Sequence, residues 1–348
     1  MKIALIGDTH FGVHKGHSAF ADNMSSFLRQ RFFPYLRSRG IVRIIHLGDL
    51  VDSRRGISFQ TLNKVMMDFV DQVIDNHMGC HMLVGNHDAP YKNSLECNAV
   101  REILRGREDN FQVFDGPSEV DTGKFQYLMV PWICDENLME ITEWMNTTDK
   151  RVVFGHFQLN GYSMHAGRTC EEGDNDAELQ RFDLVVSGHF HERSKKGVVQ
   201  YLGAPCEFTW ADAGCKRGFG ILDTETLTIE YVDNPFTMFT TLVYEDSLMT
   251  MSSDIFNKMV RVLVKKKTSQ ADFDRTMRVV EDAGPLSLKI IEGPLDMVAD
   301  DIDIDESYDE NPTKIFGDYL GSMQESAGLD KKRVESILVD AHNKSLTI

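Results

Sequence analysis

The chain has 348 residues, with 37 lysines and arginines against 54 aspartates and glutamates and a formal net charge of −17. That balance argues against a protein that coats nucleic acid by itself, since non-specific affinity comes from basic side chains neutralising phosphates. No apolar run is long enough for a membrane span, the N-terminus enters a strand pattern without a secretory signal, and the cysteines at 80, 97, 134, 170, 206 and 215 form no Cys-x-x-Cys pair, so the expectation is a soluble, intracellular protein with reduced thiols.

The first predicted element is a short apolar run at residues 3–7, followed at once by Asp8-Thr9-His10. Four further runs repeat that grammar: 43–47 before Gly48-Asp49-Leu50-Val51-Asp52, 80–84 before Gly85-Asn86-His87-Asp88, 151–154 before Gly155-His156, and 184–187 before Gly188-His189-Phe190-His191. Such runs, rich in Ile, Leu and Val and bounded by glycine and polar residues, read as buried strands. Between the first three lie helical patterns. Residues 21–39 place Met24, Phe27, Leu28, Phe32 and Leu36 near helical spacing, and residues 59–77 do the same with Leu62, Val65, Met66, Phe69, Val70 and Val73. Alternation of strand and helix implies an α/β fold with parallel strands, whose carboxyl-end loops gather at one edge.

A single Gly-Asp or Gly-His pair is ordinary turn chemistry, but five in order with the same grammar point to one site. Oxygen and imidazole ligands suit divalent ions, and a carboxylate can serve two ions about 3.5–4 Å apart in a hydrolytic centre. Asp49 is the natural bridge, and a phosphoester hydrolase the natural chemistry. His87, beside a ligand position but outside the ligand set, suits an imidazole that donates to the scissile phosphate or protonates the leaving oxygen. Asp52 and Asp88 are the candidates to hold it. His46, within a strand pattern, reads as a core residue, while His14 and His17 lie where a substrate contact is conceivable. Arg54 and Arg55 are candidates for a phosphate contact.

Further on come Val130-Pro131-Trp132, Tyr201-Leu202-Gly203-Ala204-Pro205, and Lys216-Arg217-Gly218-Phe219 leading a strand that ends at Asp223-Thr224. After Pro235 the pattern changes to strands at 238–244, 259–264 and 286–291 and a helix at 270–283, a small α+β module. Lys265-Lys266-Lys267 reads equally as a phosphate contact or a solvated strand end. Residues 296–310 have a linker's acidic composition without the spacing of a calcium loop. Two apolar helix faces follow, Ile315, Phe316, Tyr319 and Leu320, then Val334, Ile337, Leu338 and Ala341; they suit docking on a partner or packing on their own core. From 296 to 348 there are 13 acidic and five basic residues, a net of −8, so nearly half of the negative excess lies there.

The five motifs are similar to those of the calcineurin-like metallophosphoesterases. The resemblance implies a layered α/β core of two packed β-sheets flanked by helices over residues 1–235, a capping domain at 236–295, the linker at 296–310 and C-terminal helices at 311–348. It implies two divalent ions, Mn²⁺ foremost with Mg²⁺, Fe²⁺ or Zn²⁺ as alternatives. One ion would take Asp8, His10 and His191, the other Asn86, His156 and His189, with Asp49 shared. It makes Asp52 the residue that orients His87, against the alternative that Asp52 caps the loop. The landmarks around Trp132, Pro205 and Gly218 look like the SbcD branch, especially the phage recombination nuclease subunits. That implies a DNA nuclease, an exonuclease on duplex ends and an endonuclease on single strands, working as a homodimer with an SbcC-like SMC-type ATPase gripped by the C-terminal helices. Two departures stand out: Asp52 where many cellular relatives have a histidine, and Cys206-Glu207-Phe208-Thr209-Trp210 in place of a serine-rich stretch. The competing readings are a small-substrate phosphatase or cyclic-nucleotide phosphodiesterase, and a non-catalytic scaffold.

Overall fold

The computed structural model describes residues 1–91, 93–165, 167–247, 255–292 and 333. The predicted linker at 296–310 and the two apolar helix faces beyond it lie outside the described residues.

Seventeen strands are described: β1 (Lys2–Ile6), β2 (Arg43–His46), β3 (Gly79–Leu83), β4 (Phe111–Phe114), β5 (Ser118–Asp121), β6 (Gln126–Val130), β7 (Val152–Gly155), β8 (Ser163–His165), β9 (Arg168–Thr169), β10 (Leu184–Ser187), β11 (Ser194–Lys196), β12 (Val199–Tyr201), β13 (Gly218–Asp223), β14 (Thr228–Asp233), β15 (Phe239–Glu245), β16 (Met259–Lys266) and β17 (Ser287–Glu292). They form two six-stranded sheets, β14-β13-β1-β2-β3-β4 and β11-β12-β10-β7-β6-β5, a three-stranded sheet β15-β16-β17, and the hairpin β8-β9. In the first large sheet β1 to β4 run parallel, and β13 joins β1 antiparallel. In the second, β12, β10, β7 and β6 are parallel, while β11 and β5 close the edges antiparallel.

Alternation along each strand sorts the core into two layers. Ile3 and Leu5 join Ile45, Leu83, Tyr127, Met129, Phe154 and Val186 in a cluster fed by both sheets. Ala4 and Ile6 turn the other way, into a second cluster with Phe27, Phe32, Phe33 and Phe69 from the helices. Burial on both faces explains why these strands read as continuous apolar runs rather than as alternating ones.

Both helices predicted between the first strands are present. The first begins at Ser18, before the apolar spacing starts, because the His17 side chain accepts the Ala19 N–H at 3.3 Å and caps it; histidine is a weak cap signal. It runs through Ser18–Phe27, a π turn at Leu28–Phe32 and Phe33–Arg39, ending at Gly40 with φ 62°. The second spans Phe59–Val65, a π turn at Met66–Val70 and Asp71–Asp75, capped by Ser58, whose hydroxyl accepts the Thr61 N–H at 3.0 Å. Among the described residues no helix is long and apolar enough to cross a membrane.

The small α+β module appears as expected. β15, β16 and β17 are all parallel, and the helix Gln270–Asp282 makes the crossover from β16 to β17. Phe273, Met277 and Val280 of that helix pack on Leu242, Tyr244, Val260 and Val262. At its other side the module meets the first helix, where Met238 and Phe239 pack with Ala19 and Phe20.

Candidate metal centre

All five motifs follow the carboxyl ends of parallel strands: Asp8 and His10 follow β1, Asp49 follows β2, Asn86 and His87 follow β3, His156 follows β7, and His189 and His191 follow β10. Two sheets therefore contribute to one edge. The chain turns sharply there, and Asp8, His10, Asp49 and His189 all have positive φ, at 50°, 42°, 54° and 85°. Non-glycine residues in that region cost about 1–3 kcal/mol each and tend to mark functional sites. Gly85 is required for a different reason: a Cβ there would lie 2.2 Å from Asp49 Oδ1.

Candidate ligand atoms converge in two groups, Asp8 with His10 and His191, and Asp49 with His156 and His189, linked by a third, His10 with Asp49 and His87, each with atoms within 4.8 Å of one another. Nε2 of His10 and Nε2 of His191 are 3.1 Å apart. Asn86 Oδ1 lies 3.0 Å from His156 Nε2 and 2.9 Å from His189 Nδ1. Asp49 stands between the groups, its Oδ2 3.4 Å from His156 Nε2 and 3.7 Å from His10 Nε2. Its other oxygen is taken by the His87 N–H at 2.8 Å, so one oxygen is anchored and the other faces both groups. His156 Nδ1 lies 2.7 Å from the Leu47 carbonyl; that acceptor fixes the proton on Nδ1 and leaves Nε2 for coordination.

Electrostatics show that this cluster fits cations. Asp8 Oδ1 accepts the His189 N–H at 2.7 Å, but Asp8 Oδ2 is buried without a hydrogen-bond partner. Burial pushes Asp8 up to about 7, against the opposing pull of His156. Burial also works against a charged His10, yet Asp52, Asp49 and Asp8 outweigh it and raise the ring to about 10; for His156 the same contest, with Asp49 foremost on the raising side, ends at about 9. Asp49, although buried, is held well below the usual carboxylate range by His156, His87 and His10. His189 falls well below the ordinary imidazole value through burial and the neighbouring His156. Buried carboxylates here draw protons onto the imidazoles, the demand for positive charge that divalent ions bound by the same atoms would meet.

Asp52 meets His87 through its main chain: His87 Nδ1 donates to the Asp52 carbonyl at 2.6 Å. The Asp52 carboxylate faces His10, its Oδ1 3.4 Å from Nδ1, an ion-pair distance too long for a well-formed hydrogen bond. The His87 ring meets His10 edge-on at 4.7 Å, and its pKa is lowered by burial, with Asp49 opposing. Asp88, the other candidate, serves the backbone. Its Oδ2 accepts the N–H groups of Asp49 at 2.9 Å and Gly85 at 2.8 Å, and its Oδ1 those of Leu50 at 2.9 Å and Val51 at 3.2 Å. This fully buried carboxylate fixes the loop that carries Asp49, a role that adjacency to His87 concealed.

Residues beyond the motifs complete the wall. Trp132 lies 5.0 Å from the His189 ring, and Phe208 lies 5.6 Å from both His10 and His191. His46 is a core residue as expected, 3.2 Å from the Thr9 hydroxyl. His14 meets the Phe208 carbonyl at 2.7 Å, and His17 caps its helix. Lys265 faces Glu245 at 3.5 Å, Lys266 pairs with Asp246, and Lys267 pairs with Glu292 at 2.6 Å, which favours the solvated strand end over a dedicated phosphate contact.

Residues 1–193 match the family model of the calcineurin-like phosphoesterases. The chain is 33% identical over 264 residues to exonuclease subunit 1 of Enterobacteria phage T4, covering 76% of this chain and 77% of that protein. Among solved structures, an archaeal phosphodiesterase aligns over 67% of this chain and 100% of its own at 15% identity and a TM-score of 0.35. The calcineurin-like phosphoesterase YfkN from Bacillus subtilis aligns over 67% of this chain and 88% of its own at 13% identity and a TM-score of 0.32. With the family match spanning more than half of its length, the chain belongs to the calcineurin-like phosphoesterases.

Proposed function

We propose that this protein is a metal-dependent DNA nuclease that hydrolyses phosphodiester bonds, with Mn²⁺ as its working ion. The observation that carries the reading is the position of Asp49 Oδ2 between the His10 and His156 sides of the cluster, which suits a carboxylate bridging two ions. Asp8, His10 and His191 would hold one ion, and Asn86, His156 and His189 the other. When bound, such a pair supplies Lewis acidity and a hydroxide nucleophile near neutral pH. Asn86 is neutral, which limits the negative charge an incoming phosphate meets. His87, its Nδ1 occupied by the Asp52 carbonyl, points Nε2 as its remaining polar atom. A nearby phosphate's charge favours the protonated ring, and Nε2–H then donates to the phosphate or to the leaving oxygen.

DNA as substrate and work with a partner subunit are supported by the similarity to a phage exonuclease subunit; a homodimer with an SbcC-like SMC-type ATPase in recombination, repair and replication is the form that the motif resemblance implies. The net charge of −17 favours a partner for secure DNA binding. The test is cleavage of end-labelled duplex and single-stranded DNA under Mn²⁺, Mg²⁺, Fe²⁺ or Zn²⁺, beside bis-p-nitrophenyl phosphate and a phosphomonoester. Asp49→Ala should abolish all turnover. His87→Gln should keep its metal and lose about 10²–10⁴ in kcat. Hydrolysis of the monoester alone overturns the nuclease reading.

A further inference from the structure

The three-stranded sheet has its helix on one face. Val260 and Val262 of β16 point to that helix, so Arg261 points to the other face. There the register sets Thr241 of β15, Arg261 and Lys289 of β17 in one row. Arg261 is held in place on two sides. Its Nε donates to the Thr241 hydroxyl at 2.8 Å, and its guanidinium lies over the Trp210 ring at 4.6 Å. Nη1 and Nη2 have no protein acceptor among the described residues, and neither is a buried unpartnered atom. A planar fork fixed through Nε and its face, with its outer donors open, is a half-completed anion site.

The segment beneath it leads to the metal centre. Trp210 packs on Phe239 at 4.9 Å, while Phe208, two residues earlier, touches His10 and His191. Asp212 locks the segment by accepting the N–H groups of Phe208 at 2.7 Å and Thr209 at 2.9 Å. It pairs at 2.6 Å with buried Arg217, which in turn donates to the His191 carbonyl. On the module side Glu207 accepts the N–H groups of Met238 at 2.7 Å and Phe239 at 3.0 Å. One short, tied-down segment thus supports both the ligand wall and the platform under Arg261.

We infer that Arg261 is a substrate-binding residue whose guanidinium, stacked on Trp210, takes a backbone phosphate of the strand being cut, away from the scissile phosphate. This rests on the nuclease reading above. A phosphate matches the two open nitrogens in charge and geometry, and stacking leaves the guanidinium plane little freedom to lose on binding.

The experiment compares wild type, Arg261→Gln, Arg261→Lys and Arg275→Gln, the last a charge-matched control on the module's helix, where Arg275 pairs with Asp272. Binding of a fluorescent single-stranded oligonucleotide is measured against salt with Ca²⁺ in place of the catalytic ion, and kcat/KM is measured for the oligonucleotide and for bis-p-nitrophenyl phosphate. Arg261→Gln should lower the slope of log K on log salt by about one and cut the oligonucleotide-to-small-diester ratio of kcat/KM about tenfold. Arg261→Lys should recover the slope but only part of the ratio, and Arg275→Gln should match wild type. Wild-type slope and ratio in Arg261→Gln overturn the assignment. Glutamine keeps a stem over Trp210, so a folded variant is expected, and Arg261→Lys gives a second reading of the ratio. Wild type that turns over the small diester but neither binds nor cuts any oligonucleotide removes the nuclease reading itself, and with it this role.

Discussion

Replacing Asp88 with asparagine changes one oxygen to an amide nitrogen and nothing else in shape. Two of the four N–H groups that now meet a carboxylate, those of Asp49 and Gly85 or those of Leu50 and Val51, would then face a donor. An unsatisfied buried donor costs about 1–3 kcal/mol, so the pair sums to about 2–6 kcal/mol. With an unfolding entropy of about 2.1 cal/mol/K per residue, a folded body of this size loses about 3–10 °C in melting temperature. Thermal melting at pH 8 is the assay, because burial and the Asp49 charge push the Asp88 carboxyl up to about 7 and it must be ionised for the comparison. A second melt with excess Mn²⁺ reads the site: the Asp49 loop is no longer fixed, so the metal-induced rise in melting temperature should shrink as well. An Asp88→Asn protein that melts within about 1 °C of wild type and keeps the full metal response removes the role given to this carboxylate.

Three further outcomes follow from the same geometry. Asp52→Asn removes the charge facing His10 and should weaken metal binding through it, by less than the roughly 10- to 100-fold that a hydrogen-bonded outer partner is worth, while leaving His87 on its main-chain anchor; unchanged metal titrations with a rate loss matching His87→Gln would instead put the carboxylate on His87. Gly85→Ala brings a methyl group against Asp49 Oδ1 and should cost about 1–3 kcal/mol in urea unfolding together with nearly all metal-dependent turnover; near-normal activity would mean that the loop yields easily. His46, pushed down to about 3 by burial, stays neutral in the fold while the unfolded chain takes up its proton below an ordinary value near 6.5. Wild type should therefore lose stability relative to His46→Phe by about 1.4 kcal/mol per pH unit as pH falls from 6.5 toward 3, and a constant difference between urea midpoints at pH 7 and pH 5 contradicts this.

The motifs themselves were legible because each is local: a strand, a glycine and a donor within a few residues. Helix spans were legible from apolar spacing, and the small module from the change of pattern after Pro235. What stayed hidden depends on contacts that have no period. Asp88 is next to His87 in the chain and Asp52 stands in the preceding motif, but Asp52 offers its main-chain carbonyl to that ring while Asp88 turns to four backbone amides, and only the path of the loops decides which. The capping of the first helix by His17 escaped for a related reason, since the residue type argues against the role it fills. The phosphate reading of residues 265–267 came from counting cations without their partners, and the carboxylates opposite them belong to other strands or turns.

The candidate ligands come from both layers, Asp8, His10, Asp49 and Asn86 after strands of one sheet and His156, His189 and His191 after strands of the other. Neither sheet holds the whole set. In a chain whose two layers have formed but not yet closed on each other these donors would not be gathered, so on the proposed reading each increment of metal affinity would be an increment of layer-to-layer attachment. Metal content would in this way gauge whether the sandwich is shut, and a chelator would act as a wedge driven in at the edge that both sheets share.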